Sequence, residues 1–229
     1  MLAIVLISGG MDSAVSLGIA KTLGYDLAAL HVNYGQKTEE KEQEAFYDLC
    51  EHYNIKNRMI VNVSYLAKFG GSSLTDSSIE VTEADLQNPD IPSSYVPFRN
   101  ANILSIATSW AEVIDAGAII IGAMEEDSSG YPDTRKAFFD AYQESVNLGT
   151  RPESNIEIVT PIINMSKKDI IMRGYKLGVP FEKTWSCYKN SEKACGKCDS
   201  CALRLRGFQE AGIDDPLDYV VKPDYLKKT

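Results

Sequence analysis

The chain has 229 residues, of which 44% are hydrophobic and 24% are charged, a composition typical of a soluble globular protein with one full core. Its formal net charge of −9 disfavours the phosphate backbone of DNA or tRNA, so we expect a small-molecule substrate and no nucleic acid. The apolar run at residues 2–7 is too short to cross a bilayer and lacks a basic flank. We therefore expect no membrane association and a cytoplasmic location.

Five apolar runs predict β-strands, and helical patterns separate them. The runs are residues 2–7, 27–33, 58–63, 118–123 and 156–163. Helices are predicted between residues 15 and 23, from residue 38 onward, over 103–114, over 134–148 and over 167–176. This alternation predicts an α/β fold, a doubly wound parallel five-stranded sheet with helices on both faces. Ligands of such sheets bind beyond the carboxyl ends of the strands.

The segment SGGMDS, residues 8–13, lies between the first strand and the first helix. Backbone N–H groups at such a turn and helix start bind anions, and glycine lets the main chain approach phosphate oxygens. Ser8 and Ser13 add hydroxyl donors, and Asp12 would hold a metal ion that accompanies pyrophosphate. These residues predict a nucleoside triphosphate as cosubstrate, although a tight turn with ordinary capping residues would look the same. The sequence has neither a GxxxxGK[ST] run nor a GxGxxG after the first strand.

Residues 70–98 interrupt the alternation and are expected to form a functional lid or a disordered insert. Arg99, next along the chain, opens a predicted helix against the helix dipole, which a phosphate or carboxylate partner would explain, unless it is a plain surface arginine. Carboxylates of residues 125–133 follow the fourth strand and would bind metal or a purine-like base, unless they are only solvated. Lys167 at a helix start is a candidate partner for β- and γ-phosphates. His31 and His52 lie near no serine or cysteine motif, which argues against a hydrolase triad.

Four of the five cysteines follow the pattern Cys187-x7-Cys195-x2-Cys198-x2-Cys201. Four thiolates at this spacing predict one closed tetrahedral zinc site, which would be structural because it leaves no open position. The alternative, a redox CxxC at residues 195–198, would leave the other two cysteines without a role. The fifth, Cys50, is expected in the core.

Further segments match a known pattern when read together with the loop and the cysteines. The chain carries SGGMDS at 8–13, NYGQK at 33–37, YVPFRN at 95–100, GYPD at 130–133, SCY at 186–188 and CGKCDSC at 195–201, with Arg204 and Phe208 beyond. In this order they resemble the 7-cyano-7-deazaguanine synthases, the queuosine-pathway members of the PP-loop ATP-pyrophosphatase superfamily. The resemblance runs nearly end to end, although Phe98 stands where relatives commonly carry a small residue and Lys37 where many carry arginine.

The resemblance implies an adenine nucleotide α-hydrolase-like fold with a PP-loop nucleotide-binding domain at 1–180 and a helical four-cysteine zinc-binding segment at 181–229. It implies that 7-carboxy-7-deazaguanine attacks the α-phosphorus of ATP, that ammonia converts the acyl adenylate to an amide, and that a second activation leaves a nitrile. Zn²⁺ and Mg²⁺ would be the metal ions, and we expect a homodimer.

The resemblance also implies a role for individual residues. Catalysis would involve Asp12, Arg99 and Lys167. The ATP-binding residues would be Ile7, Ser8, Gly9, Gly10, Met11, Asp12, Ser13, Ala14, Val15, Ser16, Leu17 and His31. The substrate-binding residues would be Tyr95, Arg99, Asn100, Asp127 and Asp133, with Asp133 reading the guanine-like N–H edge. Adenine would contact the backbone around His31 and Val32.

Two alternatives remain open at this point. Another PP-loop enzyme, such as a tRNA thiolase or an amidating synthetase of the NAD or GMP type, would share the loop, although a thiolase should show a catalytic cysteine pair and a basic face. A zinc-knuckle binding module on a nucleotide-sensing domain would bind ATP without releasing AMP.

Overall fold

The fold is described from a computed structural model over residues 1–88, 90–125 and 130–226. The strands in these ranges are β1 (Leu2–Leu6), β2 (Asp26–Asn33), β3 (Asn57–Asn62), β4 (Ala118–Ile120) and β5 (Glu157–Val159). The α-helices are α1 (Met11–Thr22), α2 (Glu39–His52), α3 (Tyr65–Lys68), α4 (Arg99–Ile114), α5 (Lys136–Gly149), α6 (Lys167–Lys176) and α7 (Asp199–Ala211). Two 3₁₀ turns cover Pro132–Thr134 and Phe181–Lys183.

All neighbouring strands of the sheet are parallel, in the order β3-β2-β1-β4-β5. The chain builds outward from β1 to β3 and then returns past β1 to add β4 and β5, so the strand order reverses between β1 and β4. One core cluster, with Leu17, Phe46 and Phe208, covers one face, and a second, with Leu104 and Trp110, covers the other. The predicted doubly wound five-stranded sheet is confirmed, and its switch point directs ligands to the carboxyl ends of β1 and β4.

Strands β4 and β5 are shorter than the apolar runs that predicted them. Beyond Ile120 the chain leaves the strand, and a Cβ on Gly122 would lie 2.8 Å from backbone atoms of Asp12 and Ser13. This close approach requires glycine and turns the chain against the start of α1. The residues after β4 therefore form a wall beside the SGGMDS loop. The Ile121 N–H still donates to the Val159 carbonyl of β5 at 3.0 Å, and the apolar residues beyond it are buried against the loop.

The long segment before α4 is folded onto the cysteine-rich end of the chain. Val81 is buried in the same cluster as Cys187 and Cys198, and the Ala84 N–H donates to the Lys197 carbonyl at 2.8 Å. Lys197 also pairs with Glu83 at 2.8 Å. Residues 81–84 of the segment thus pack against the cysteine cluster, so this part of it is not the disordered insert that was one of its two expected forms.

The C-terminal segment is fastened to the domain by a buried ion pair. The Arg204 guanidinium donates to both Asp215 oxygens, at 2.8 and 2.9 Å, and both side chains are 1% exposed. Arg204 also donates to Thr184 Oγ1 at 2.6 Å, and the Tyr219 hydroxyl donates to Asp215 at 2.6 Å. The pair therefore joins α7 to the chain before and after it. No helix among the described residues has the length and apolar character needed to cross a membrane.

Replacing Asp215 with alanine is expected to lower the free energy of unfolding by about 3–5 kcal/mol, because the Arg204 charge would stay buried without its counter-ion. Denaturant unfolding followed by circular dichroism measures the change. Asp214→Ala removes the neighbouring exposed carboxylate and should shift stability by no more than about 0.5 kcal/mol. Equal stability of the two variants would contradict the structural role of the pair.

Candidate active site

Gly9 determines the conformation of the loop after β1. This residue has φ +83°, and a Cβ there would lie 2.6 Å from the Glu42 carbonyl oxygen. The Gly9 carbonyl accepts a 2.8 Å hydrogen bond from the Trp185 N–H. The loop is thus fixed between α2 and the C-terminal segment, in a conformation that favours glycine.

Hydroxyl groups line the turn that leads into α1. Ser8 Oγ accepts from the Gly10 N–H at 3.2 Å and donates to Ser13 Oγ at 3.2 Å, while Ser13 Oγ donates to the Gly10 carbonyl at 2.9 Å. The N-cap residue of α1 is Gly10, so no side chain at this position caps the first N–H groups of the helix with a hydrogen bond. The first N–H groups of the helix and its dipole are therefore available to an anion, as the sequence predicted.

Asp12 and Lys167, which are 155 residues apart, meet at this turn. Lys167 Nζ lies 2.5 Å from Asp12 Oδ2, and the lysine side chain is 9% exposed. Asp12 Oδ1 is buried and has no hydrogen-bond partner among the described residues. A cation would satisfy this oxygen, and carboxylate oxygen is a ligand that Mg²⁺ prefers. The site thus fits the Mg²⁺ assigned to Asp12.

The position of Lys167 follows from local structure. Ser166 and Asp169 form a capping box at the start of α6, so the first residue of the helix is well defined. On the far side, a Cβ on Gly207 of α7 would lie 2.8 Å from the Lys167 Cβ. Glycine in α7 therefore lets the two helices approach, and the lysine extends toward the loop.

A cavity of about 260 Å³ opens at the carboxyl ends of β1, β2 and β4. Ten of the predicted site residues line it, namely Ile7, Ser8, Gly10, Met11, Asp12, Ser13, His31, Arg99, Asn100 and Lys167. The residues predicted for the site that do not line it are Gly9, Ala14, Val15, Ser16, Leu17, Tyr95 and Asp133. Ala14 to Leu17 are buried along α1, where helix geometry directs them into the interior. Asp127 lies outside the described residues.

His31 lies in the cavity wall with both ring nitrogens engaged. Nδ1 is 2.7 Å from the Ile7 carbonyl oxygen, and Nε2 is 2.8 Å from Asn33 Oδ1. Burial lowers the pKa of the ring, against the raising effect of its hydrogen bonds to Ile7 and Asn33. With its nitrogens occupied, His31 offers a nucleotide base only its ring face and the neighbouring backbone.

Arg99 begins α4 and is directed into the cavity. Its guanidinium donates to the Tyr34 hydroxyl at 2.9 Å and lies 4.9 Å from the centre of the Tyr34 ring. The preceding residue, Phe98, has φ +56°, a left-handed conformation that suits a small residue better. The sharp entry into α4 therefore carries backbone strain at Phe98. A cation at a helix start opposes the dipole, and the contacts with Tyr34 hold Arg99 there.

Asp133 holds the first turn of α4. Its Oδ2 accepts from the Asn100 N–H at 2.9 Å, and Asn100 Nδ2 donates to the Asp133 carbonyl at 2.9 Å. The pKa of Asp133 is raised, because the effect of burial exceeds the opposing effects of the Asn100 N–H and the Arg99 charge. Tyr95 similarly supports the turn, since its hydroxyl accepts from the Phe98 N–H at 3.0 Å. Both side chains contact the helix start that carries Arg99.

Glu42 is a cavity residue that the sequence reasoning missed. Its Oε1 accepts from Thr38 Oγ1 at 2.8 Å and its Oε2 accepts from Gln36 Nε2 at 3.1 Å. Burial raises the pKa of Glu42 to about 7, against the lowering effect of these bonds and of the Arg99 charge. In the sequence it is one of three acidic residues in the first turn of α2, and only its neighbour Gln36, in the NYGQK segment, hinted at a site.

The four predicted zinc ligands lie together. The sulfur atoms of Cys187, Cys195, Cys198 and Cys201 are all within 4.8 Å of one another. Cys187 Sγ accepts backbone N–H bonds from Asn190 and Cys195 at 3.3 Å. N–H groups directed at sulfur stabilise thiolates, and four clustered thiolates fit a tetrahedral Zn²⁺. Because Trp185, Ser186, Tyr188 and Leu203 also line the cavity, the cysteine cluster supports one of its walls.

Gly196 gives a test of how tightly this cluster is built. It has φ +81°, and a Cβ there would overlap the Val221 carbonyl oxygen. We expect Gly196→Ala to lower the melting temperature by more than Gly24→Ala, whose φ is +80° with nothing within 4 Å. The control carries only the left-handed strain, about 1–2 kcal/mol. Thermal unfolding measures both variants, and equal losses would mean that the C-terminal tail yields freely.

Known proteins of one family match this chain over almost its whole length. The family model described as "Queuosine biosynthesis protein QueC" matches residues 2–212. The 7-cyano-7-deazaguanine synthases of Chlorobium phaeobacteroides (strain BS1) and Chlorobaculum parvum are 61% and 58% identical over 226 and 227 residues, which is 99% of this chain and 100% of each relative. A crystal structure of a 4-thiouridine synthetase–RNA complex with bound ATP has a TM-score of 0.52 at 20% identity. The matched region covers 78% of this chain and 41% of the synthetase chain, and at this identity it shows only that the fold is shared.

Proposed function

Because the chain belongs to the QueC family of queuosine biosynthesis proteins, it is an ATP-dependent enzyme that makes 7-cyano-7-deazaguanine, and we propose that its cavity activates a carboxylate as an adenylate. The observation that carries the mechanism is the joining of the anion-binding loop, the Asp12–Lys167 pair and Arg99 in one cavity. Ammonia cannot displace oxide from a carboxylate, so the oxygen must first become a leaving group.

The proposed substrate is 7-carboxy-7-deazaguanine, with ammonia as nitrogen donor. A carboxylate oxygen attacks the α-phosphorus of ATP, and the bond to pyrophosphate breaks. Ammonia then attacks the acyl carbon, AMP departs and an amide forms. The amide oxygen attacks a second ATP in the same way, and loss of AMP from the resulting imidate leaves the nitrile. Catalysis is mainly positioning and charge neutralisation.

The loop side of the cavity would bind the triphosphate. The N–H groups at the start of α1 and the hydroxyls of Ser8 and Ser13 face the β- and γ-phosphates, and Lys167 neutralises charge on the departing pyrophosphate. Asp12 would hold Mg²⁺ through its unpartnered oxygen. A bound Mg²⁺ supplies charge neutralisation between phosphate oxygens. The backbone beside His31 and Val32 would receive adenine.

The α4 side would bind the acceptor. Arg99 clamps the substrate carboxylate or the adenylate phosphate, and Asn100 lies beside it in the wall. Asp133 and Tyr95 act as positioning residues, because they hold the helix start that carries Arg99.

The proposal also covers the metal ion of the C-terminal segment, the location of the protein and its oligomeric state. Residues 181–229 would form a unit organised by structural Zn²⁺ that closes the wall of the 1–180 domain. Free cysteines in that cluster suit the reducing cytoplasm.

A homodimer is proposed because Val220, Val221 and Leu226 expose apolar surface near the tail, at 62%, 40% and 52%. Light scattering after size exclusion tests it, and a monomer mass would exclude it.

The direct test incubates the enzyme with ATP, Mg²⁺, ammonium and 7-carboxy-7-deazaguanine. Mass spectrometry should show the amide and then the nitrile, with AMP and pyrophosphate as nucleotide products. If ADP accumulates instead of AMP, the adenylate mechanism is excluded. If ammonium alone does not support the reaction, the free-ammonia part of the proposal is wrong.

A further inference from the structure

The proposed reaction releases protons from nitrogen, and none of the residue roles in the proposed mechanism accepts them. Ammonia carries three hydrogens and a nitrile nitrogen carries none. One proton leaves nitrogen when the amide forms, a second when the amide oxygen is adenylated to the imidate, and the third when the imidate becomes the nitrile. A proton acceptor must therefore lie beside the acyl carbon, on the side from which nitrogen approaches.

Asp12, His31 and Tyr34 in the described part of the cavity wall cannot take this role. Asp12 is paired with Lys167 on the phosphate side. Both nitrogens of His31 are engaged, and burial lowers its pKa. Burial also raises the pKa of the Tyr34 hydroxyl, so this group is protonated throughout the neutral range.

Glu42 is the remaining carboxylate among the described lining residues. It comes from α2 and lines the same cavity as Arg99 of α4, and no lysine, arginine or histidine within the described ranges forms a salt bridge with it. Each of its oxygens accepts one hydrogen bond, from Thr38 or from Gln36, which fixes the carboxylate plane and leaves a lone pair on each oxygen. The backbone carbonyl of Glu42 packs against Gly9, so this residue has a fixed position relative to the SGGMDS loop.

We propose that Glu42 is the base that binds ammonia and accepts the N–H protons released as the amide and the nitrile form. The inference rests on the proposed function. In amide formation the C–N bond forms, Glu42 takes one proton from nitrogen, and the C–O bond to AMP breaks. On the way to the nitrile, Glu42 takes one proton from the amide nitrogen as the amide oxygen attacks the second ATP, and it takes the last proton from the imidate nitrogen as the second AMP leaves with the C–O electron pair. Between steps the carboxyl returns its proton to water.

The electrostatic surroundings suit such a base. The groups that face it are the Arg99 guanidinium from α4, the Tyr34 hydroxyl after β2 and the Glu39 carboxylate on its own helix. With a pKa of about 7, Glu42 is ionised above neutrality and protonated below it, so nitrile formation should rise as pH increases through 7.

The test compares two reactions of the intact enzyme. Carboxylate-dependent exchange of labelled pyrophosphate into ATP reports adenylation and involves no nitrogen, whereas nitrile formation involves all three protons. In Glu42→Gln, which keeps the shape of the side chain, we expect exchange to continue near the wild-type rate and nitrile formation to fall by about 10²–10⁴-fold. The rise with pH should also disappear. Glu40→Gln, an exposed neighbour on α2, is the matched control.

The outcomes separate the two proposals. If wild type supports neither exchange nor nitrile formation, the proposed function is wrong and the role of Glu42 with it. If wild type supports both and Glu42→Gln makes nitrile at the wild-type rate, Glu42 is not the base. An equal loss of exchange and nitrile in a variant that melts like wild type would make Glu42 a positioning residue of the ATP loop, which also overturns the proposal.

Discussion

Replacing Cys198 with serine is expected to abolish zinc binding and to unfold the C-terminal segment. Cys198 is completely buried, and its sulfur belongs to a cluster whose members lie within 4.8 Å of one another. A hydroxyl cannot replace a thiolate in a tetrahedral site, and structural zinc contributes about 10–16 kcal/mol in small zinc domains. That exceeds what the few apolar residues around the cluster provide by burial.

Zinc content and limited proteolysis measure the effect. We expect about one zinc per wild-type chain, close to none in Cys198→Ser, and rapid cleavage of the variant between residues 185 and 226. Activity should fall too, because Trp185, Ser186 and Tyr188 line the cavity. Cys50→Ala is the matched control, since Cys50 lies in the main core and burial raises its thiol pKa to about 12. Wild type without zinc, or a serine variant that keeps it, would refute the structural role.

Features written in a short stretch of sequence could be predicted. The order of strands and helices follows from apolar periodicity, and the turn before α1 follows from two glycines between a strand and a helix. The spacing of the cysteines predicted a cluster that the fold brings together. In each case the residues that determine the structure are near neighbours in the chain.

Features that depend on distant residues could not be predicted. Asp12 and Lys167 were each assigned to phosphate chemistry, but their contact depends on how α6 and α7 approach. Asp133 was expected to read the guanine edge, and its bond to the Asn100 N–H exists only because residues 130–134 fold back onto α4. Glu42 looks like an ordinary residue of an acidic helix until its burial beside Arg99 is known.

Asp12→Asn is expected to reduce turnover by about 10³-fold, the range in which removal of one preorganised charge-stabilising group usually falls. Asparagine has nearly the same size but cannot balance Lys167 or provide a charged ligand for Mg²⁺. Unlike Glu42→Gln, this variant should lose pyrophosphate exchange and nitrile formation together, because Asp12 acts where pyrophosphate departs. Exchange kinetics at several Mg²⁺ concentrations measure the effect.

The ion pair also predicts a small change in stability. The Asp12 side chain is 28% exposed, so solvent screens its attraction to Lys167, and we expect a loss of about 1 kcal/mol in the free energy of unfolding. Asp26→Asn, at the exposed amino end of β2, removes a carboxylate far from the cavity and should leave both measurements unchanged. If Asp12→Asn folds normally and exchanges pyrophosphate at the wild-type rate, the carboxylate has no part in adenylation. The buried oxygen without a partner would then mark a structural cost and not a metal ligand.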